Sequence, residues 1–368
     1  MPDPTSKRTA DVAVIGAGVI GLACAWRAVQ HSLEVIVLER QTPAAGASGV
    51  AAGMLAPVGE LAFGEQRLLE LTLEAAERYP DFVAELEEQS GAETGYERRG
   101  ALHVALDRDE AAELRRRHEL QRSLGLEAEW LTPSRCRDLE PGLAPAIAGG
   151  VHAPGEAAVD PRALCAALLA GLEREGAEVR SGAAAVEALI EGERIVGVRT
   201  QAGEEVRAGA VVLASGCWAG QSEWLPAEAR PEVRPVKGQI LTLGGPVEDP
   251  VCERIVASEW VYVVPRRDGR LMVGATVEER GFDTAVTAGG VHELLREAYR
   301  LLPDVAELEL VEVAAGLRPG TPDNLPLVGP GALEGLVLAT GHFRNGVLLA
   351  PLTADRVADV LTGAEVSA

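Results

Sequence analysis

Three glycines and one glutamate near the start of the chain are spaced to bind a dinucleotide. The segment containing them reads DVAVIGAGVIGLACAWRAVQHSLEVIVLER, with an apolar run on either side of a helical pattern. Gly16 permits a tight turn, Gly18 lets the backbone approach a pyrophosphate, and Gly21 lets the helix pack closely on the strand. Glu39 is placed to accept hydrogen bonds from a ribose 2′-hydroxyl, although the arginine that follows weakens the case against a 2′-phosphate. The alternative is a structural turn in an ordinary α/β domain.

A second group of polar side chains suits a carboxylate ligand. Arg318 lies in AAGLRPGTPDN, a segment rich in Gly and Pro with little charge before it. Its guanidinium either pairs with an internal acid or faces a ligand carboxylate, which arginine can hold through two parallel hydrogen bonds. Tyr262, in WVYVVPRRDG, would add its hydroxyl to such a clamp, or would be an ordinary buried strand tyrosine.

Small residues follow the strands that would position these groups. The segment after Glu39, QTPAAGASGVAAGMLAP, leaves backbone N–H groups accessible to a bulky ligand, unless it is a flexible linker. A strand predicted at residues 210–214 runs into SGCW, and strand ends of this kind face the cofactor crevice of a doubly wound sheet. Residues 256–265 and 270–275 are β-rich runs joined by an Asp-Gly hairpin signal.

Composition limits the class of protein and its partners. The chain has 368 residues, of which 47% are hydrophobic, and this predicts two domains. Its net charge of −22 disfavours nucleic acid and acidic membrane surfaces as partners. The five cysteines form no CxxC motif, which indicates free thiols in a reducing compartment, and the six histidines show no metal-ligand spacing. Without an apolar leader or a long apolar run, a soluble cytoplasmic protein is expected.

Several motifs together resemble the FAD-dependent amino acid oxidase family, and within it the glycine oxidase branch. They are DVAVIGAGVIGLACAW, AAGMLAP, VVLASGCWAG, and GLRPGTPDNLPLVGP followed by GHFRNGVLLAP, so that the likeness spans nearly the whole chain. The resemblance implies an α/β fold in which a Rossmann-type FAD-binding domain is joined to an α+β substrate domain with a mainly antiparallel sheet. The FAD-binding domain would comprise residues 1–90, 150–225 and 316–368, and the substrate domain residues 91–149 and 226–315.

The resemblance also implies roles for individual residues. Arg318 would be the family's carboxylate-binding arginine, and Arg344 would lie near substrate and flavin unless it only orders its loop. The helix from Gly346 to Leu361 would direct its positive end at the flavin pyrimidine carbonyl, where negative charge accumulates on reduction. The implied FAD contacts are Gly16, Gly18, Val19, Ile20, Gly21, Glu39, Arg40, Ala47, Ser48, Ala52, Gly53, Met54, Val186, Ser215, Gly216 and Trp218, with the flavin loop His342, Phe343, Arg344, Asn345, Gly346, Val347 and Leu348.

The implied reaction is hydride transfer to flavin N5 from the Cα of an amino acid whose amine is in its neutral form. Positioning would supply most of the catalysis, and no side chain need act as a general base. The imine would be hydrolysed to glyoxylate or another 2-oxo acid and ammonia, or passed on for thiamine thiazole synthesis, and O2 would reoxidise the flavin to give H2O2. No cysteine follows Cys252, which favours noncovalent FAD. The likeness also suggests a homo-oligomer, either a dimer or a tetramer.

Some positions depart from the family pattern and leave alternatives open. Trp260 and Val277 stand where a His-like and a Met residue are expected. If both line the pocket they favour a small substrate such as glycine, sarcosine or a small D-amino acid, but Trp260 could equally be core. Lys237, in RPVKGQIL, is either structural or oxygen-facing. A dehydrogenase with another electron acceptor and a noncatalytic flavin-binding module are the competing functions.

Overall fold

The computed structural model describes residues 7–364. Residues 1–6 and 365–368, which the prediction assigns to the two ends of the FAD-binding domain, lie outside this range. The helices are α1 Val19–Gln30, α2 Gln66–Ser90, α3 Arg108–Ser123, α4 Pro133–Leu139, α5 Pro161–Arg174, α6 Ala288–Leu301 and α7 Gly346–Thr362. The strands are β1 Lys7–Ile15, β2 Val35–Leu38, β3 Met54–Leu55, β4 Ala101–Ala105, β5 Glu129–Leu131, β6 Gly149–Ala153, β7 Ala157–Ala158, β8 Glu178–Arg180, β9 Ala185–Glu191, β10 Arg194–Thr200, β11 Glu205–Leu213, β12 Arg234–Gly244, β13 Ile255–Ala257, β14 Tyr262–Pro265, β15 Arg270–Gly274, β16 Glu309–Gly320, β17 Leu327–Pro330 and β18 Leu336–Thr340.

The first sheet has a parallel centre in the order β18-β11-β1-β2-β8. Strand β17 pairs antiparallel with β18 at one edge, and β10 and β9 form an antiparallel extension from β11. Strand β2 and the carboxyl-terminal parts of β1 and β11 are buried because helices cover the sheet, which is why these parts read as continuous apolar runs. Their carboxyl ends meet at one edge, where a ligand of a doubly wound sheet binds.

Helix α1 lies in the core of this first unit. It packs against α5 and α7, and its small residues Gly21, Ala23, Ala25 and Ala28 are fully or almost fully buried. Small side chains allow this close approach between helices, and the fully buried Trp26 fills the remaining space next to α2. The packing fixes the direction in which the N-terminus of α1 points.

The second sheet has the order β16-β12-β15-β14-β13-β4-β6-β5 and is antiparallel except for the β13–β4 pair. Its apolar face packs on α6 to form a separate core cluster. Strands β14 and β15 pair through the Asp-Gly turn, which confirms the hairpin prediction. The predicted fold class, a Rossmann-type sheet joined to a mainly antiparallel one, is confirmed.

The segments that form each sheet alternate along the chain. Residues 7–38, 178–213 and 327–340 supply the strands of the first sheet, and residues 101–153 and 234–320 supply those of the second. Residues 150–153 and 316–320 therefore pair with the second sheet, although the predicted boundaries assign them to the FAD-binding segments. The division into two domains stays a prediction.

Residues 7–364 contain neither a candidate membrane span nor a candidate metal-binding cluster. In that range no helix is both long and apolar enough to cross a bilayer. Nor do three or more His, Cys, Asp or Glu side chains in that range gather in a way that could hold a metal ion. All five cysteines are buried and free of disulfides.

Candidate active site

A cavity of about 570 Å³ is lined by both sheets and by the small-residue segment after β2. The strand ends of β1, β2, β11 and β18 form one wall, and β12, β14 and β16 form the other. A cleft of this size at the carboxyl ends of parallel strands is where a doubly wound sheet binds its ligand.

The glycine turn at the start of α1 forms one end of the cavity. Gly16 has a φ of +108°, and a Cβ there would lie 2.6 Å from the carbonyl oxygen of Ala214. A Cβ on Gly21 would lie 1.9 Å from the carbonyl oxygen of Gly16, so this glycine serves helix packing and does not line the cavity. Gly18 caps α1 without a side-chain hydrogen bond, which leaves N–H donors and the positive helix end for an anion.

Glu39 lies at the end of β2 on the cavity wall. Its Oε2 accepts a hydrogen bond from the Ala17 N–H at 2.9 Å, and its Oε1 accepts one from the Gln41 N–H at 2.8 Å. Remaining lone pairs are available to a ribose hydroxyl. The Arg40 guanidinium lies 3.9 Å from the Trp218 ring centroid, so cation–π contact orients it along the same wall.

The small-residue segment is ordered against the dinucleotide turn and is not a linker. Ser48 Oγ accepts a hydrogen bond from the Val19 N–H at 2.9 Å. Gly53 has a φ of +71°, and a Cβ there would lie 1.9 Å from the Val159 carbonyl oxygen. The Ser215 hydroxyl, just after the end of β11, is buried without a hydrogen-bond partner among the described residues. The free amides, acid and hydroxyl fit the phosphates and ribose of FAD. The predicted cofactor residues that line this part are Gly16, Gly18, Val19, Ile20, Glu39, Arg40, Ala47, Ser48, Ala52, Gly53, Met54, Ser215, Gly216 and Trp218.

The flavin loop leads into α7 on the same wall. His342, Phe343, Arg344, Gly346 and Val347 line the cavity, whereas Asn345 and Leu348 are buried beside it. Helix α7 begins without a side-chain cap, so its N-terminal amides and the positive end of its dipole are available to a ligand in the cavity. Burial lowers the pKa of His342 to about 3, and its Nε2 lies 2.9 Å from Thr353 Oγ1. The imidazole is therefore neutral.

Arg318 and Tyr262 meet at the other end of the cavity. Arg318 Nη1 donates to the carbonyl oxygens of Thr276 at 3.1 Å and Lys237 at 3.4 Å. No carboxylate among residues 7–364 lies within ion-pair distance of this guanidinium, which excludes the internal pairing considered from the sequence. Burial raises the pKa of the Tyr262 hydroxyl against the opposing effect of the Arg318 charge, so the hydroxyl remains a donor.

Two strand glycines form the floor under this pair. A Cβ on Gly238 would lie 2.4 Å from Arg318 Nη1, and a Cβ on Gly274 would lie 2.5 Å from the Tyr262 hydroxyl oxygen. Each polar side chain therefore lies flat over a glycine on a neighbouring strand. A cation and a hydroxyl held side by side suit a carboxylate.

Arg344 has a partner that the sequence did not indicate. Its guanidinium pairs with Glu65 and also lies 3.4 Å from the Glu60 carbonyl oxygen. The ordering role is therefore present, and the side chain also lines the cavity. Glu60 itself was missed, because one acid in a loop beyond AAGMLAP carries no spacing signal. It lines the cavity, and burial raises its pKa to about 7.

Three predicted positions need correction or placement. Trp260 is 56% exposed and does not line the cavity, so it belongs neither to the core nor to the pocket wall. The reason is the turn from Ser258 to Val261, which interrupts the strand alternation that would align Trp260 with Tyr262. Val186 is 50% exposed on β9, and the cavity is lined instead by the three alanines before it. Val277 does line the cavity, at its mouth, since it is 69% exposed.

Lys237 is fully buried and points away from the cavity. Its Nζ lies 3.0 Å from Asp283 Oδ2 and 3.8 Å from Glu278 Oε2. Both acids belong to the segment between β15 and α6, which also carries Val277. The structure therefore favours the structural role of this lysine over an oxygen-facing one.

Comparisons with known proteins agree with this geometry. Residues 11–360 match the model of the FAD dependent oxidoreductase family, DAO. The glycine oxidase of Geobacillus kaustophilus is 36% identical over 364 residues, covering 95% of this chain and 92% of that protein. The bifunctional protein ThiO/ThiG of Trichormus variabilis is 38% identical over 96% of this chain but only 53% of its own length. The chain thus spans about half the length of such bifunctional relatives.

Solved structures give the same result. The crystal structure of the Geobacillus kaustophilus glycine oxidase superposes with a TM-score of 0.90 at 35% identity, covering 97% of this chain and 96% of that one. An iminodiacetate oxidase from Chelativorans sp. BNC1 superposes with a TM-score of 0.87 at 28% identity, over 97% and 96%. The chain belongs to the family of FAD dependent oxidoreductases, DAO.

Proposed function

We propose that this enzyme oxidises glycine or another small amine, such as sarcosine or a small D-amino acid, with O2 as the electron acceptor. The observation that carries the proposal is the Arg318 guanidinium, which faces the cavity beside Tyr262 and has no ion-paired carboxylate among residues 7–364. Arg318 is half-buried, and a partly desolvated cation without a counter-ion is unfavourable, so a substrate carboxylate would complete the site. The products are an imine, hydrolysed to glyoxylate or a 2-oxo acid and ammonia, and H2O2.

The residues of the chain bind and orient the two reactants. Arg318 and Tyr262 hold the substrate carboxylate at one end of the cavity, while the turn after β1 and the N-terminus of α7 hold the cofactor at the other. Bound FAD supplies the acceptor for hydride from the substrate Cα and passes the electrons to O2. The buried wall residues exclude water from the reacting atoms, and positioning lowers the barrier.

The FAD is held noncovalently in this proposal. Cys217 is the cysteine that lines the cavity, and burial raises the pKa of its thiol to about 12. A protonated thiol is a poor nucleophile, so it does not form a flavin thioether under ordinary conditions.

In the cell we propose that the enzyme supplies the glycine imine for thiamine thiazole synthesis, as the likeness to ThiO/ThiG suggests. We propose a cytoplasmic homo-oligomer, either a dimer or a tetramer. Light scattering of the purified holoenzyme tests the assembly, and a monomer at micromolar concentration contradicts it.

The experiment that tests the activity combines two measurements on the purified holoenzyme. Peroxide release is followed in air with glycine, sarcosine, D-alanine and D-proline, and flavin bleaching is followed without oxygen. Peroxide with glycine or sarcosine supports the proposal and ranks the substrates. Bleaching without peroxide identifies a dehydrogenase with another acceptor. Neither signal with any of the four rejects the proposed substrates.

A further inference from the structure

The carboxyl group of Glu60 is an unused titratable group in the cavity. It lines the same cavity as Arg318, Tyr262 and Arg344, and it forms no hydrogen bond or ion pair with any residue from 7 to 364. By contrast, Glu65, five positions on, accepts hydrogen bonds from Arg344 and Asn324. Glu60 therefore keeps its full accepting capacity for a ligand.

The backbone around Glu60 is held from several sides. Gln121 Nε2 donates to the Val58 carbonyl oxygen at 2.9 Å, and the Gly59 N–H donates to Glu156 Oε1. The Glu60 N–H donates to the Ala56 carbonyl oxygen at 3.0 Å. A side chain on a segment fixed in this way has a defined position, as catalytic and binding groups require.

Charges of both signs face Glu60, but burial has the largest effect and raises its pKa to about 7. Arg344 opposes the rise most strongly, with smaller contributions from His103 and Arg318, whereas the charge of Glu156 adds to it. A carboxyl group poised near neutrality can both accept and release a proton at working pH. The charged and titratable groups around it are Arg344 before α7, Arg318 on β16, Tyr262 on β14, His103 on β4, Glu156 before β7 and Glu65 before α2.

We propose that Glu60 accepts a proton from the ammonium group of the amino acid whose carboxylate is held by Arg318 and Tyr262. The N–H bond breaks and a carboxyl O–H bond forms, which leaves a neutral amine and a neutral acid with no change in oxidation state. The reaction needs this neutral amine, because its lone pair stabilises the carbon that loses hydride. The inference rests on the proposed function, and it adds a proton acceptor where the sequence required none.

The pH dependence of kcat/KM for glycine distinguishes this role from a structural one. In the wild type, kcat/KM rises up to about pH 7 and then levels off, because Glu60 is ionised there. In Glu60→Gln only the free amine can react, and an aliphatic ammonium has a pKa of about 10. Between pH 7.5 and 9.5 the wild type should therefore change less than about twofold, while the variant rises about 100-fold.

Proton release on ligand binding gives a readout without turnover. The probe is 2-methylalanine, which carries an amine and a carboxylate but no Cα hydrogen and so cannot be oxidised. Calorimetry at pH 8.5 in buffers of different ionisation heat should show nearly no net proton released by wild-type holoenzyme. Glu60→Gln should release about one proton, because the ammonium proton has no acceptor in the site. Isobutyrate, which lacks the amine, should release none in either protein.

Two further variants control the test. Glu65→Gln removes a charge from the same segment but leaves Glu60 in place, so its pH profile should keep the wild-type shape. Glu60→Asp keeps an acid and should retain the plateau above neutral pH at a lower rate. A Glu60→Gln enzyme with bound flavin, a wild-type pH profile and no proton release overturns the inference. Failure of the wild type to bleach with any amino acid overturns the proposed function instead, and this inference with it.

Discussion

Replacing Gly238 with alanine should displace Arg318 without changing any charge. An added Cβ would lie 2.4 Å from Arg318 Nη1 and 2.5 Å from Nη2, and ordinary contact begins at 3.4 Å. The guanidinium must therefore move by about 1 Å, the difference between 2.4 and 3.4 Å. Gly238 is not in the left-handed region, so the backbone tolerates alanine. Because the end of a flexible side chain moves, the fold should be little affected.

The expected loss follows from the hydrogen bonds that a displaced guanidinium can no longer form. A shift of about 1 Å removes one of two parallel bonds to the substrate carboxylate. Hydrogen bonds to charged groups contribute about 1.5–3 kcal/mol. Since about 1.4 kcal/mol is a factor of ten in affinity, the KM should rise about 10- to 150-fold.

The KM for glycine is measured by peroxide release and compared with that of Gly244→Ala. Gly244 lies on the same strand, and its added Cβ would meet only the Val311 side chain at 3.0 Å and Glu309 beyond it. The control should keep the wild-type KM, and both variants should keep bound flavin. Equal KM values in Gly238→Ala, the control and the wild type would show that Arg318 does not hold the substrate.

Other substitutions test separate parts of the site. Arg318→Lys should raise the KM for any amino acid substrate about tenfold or more in the peroxide assay, since a point charge cannot form the bidentate contact, and an unchanged KM removes Arg318 from the site. The raised pKa of Glu60 means that the folded state loses stability as pH rises from about 4.5 through about 7. At pH 8 the free energy of unfolding of Glu60→Gln apoprotein should therefore exceed that of the wild type, by at most about 3 kcal/mol before the discount for solvent screening, so that the variant unfolds at a higher temperature. Near pH 4 the two proteins should unfold at the same temperature. Lys237→Met removes the ion pairs to Asp283 and Glu278, whose partly exposed carboxylates would then be hydrated. Amide hydrogen exchange at residues 276–287 should therefore become faster, and unchanged exchange would show that the lysine does not hold this segment.

The dinucleotide half could be predicted from the sequence because its signals are local. Gly16, Gly21 and Glu39 belong to one continuous strand–helix–strand unit, in which spacing alone fixes the relative positions of the groups. The helix at the flavin loop was also predictable, since its apolar pattern begins directly after a Gly. The geometry of these elements is determined by residues close together in the sequence.

The positions that differed depend on irregular backbone or on distant packing. Trp260 is two residues from Tyr262, and strand alternation would place both on one face, but Trp260 lies in the turn that precedes the strand. Glu60 owes its pKa to walls built from segments far away in the chain, which no local pattern reveals. Arg344 forms an ion pair with Glu65, which lies 279 positions away in the sequence.

The glycines under Arg318 and Tyr262 show that part of this distant geometry does leave a local trace. A glycine inside a strand weakens it and often marks a place where another group approaches closely. Gly238 and Gly274 are both such residues, and each is covered by a polar side chain from a neighbouring strand. Any larger residue at either position would push the clamp away from the cavity. The two glycines therefore indicate from the sequence that another group packs closely on these strands. Only the sheet register identifies the groups as the side chains of Arg318 and Tyr262, because it pairs Val236 with Arg318 and Gly274 with Tyr262.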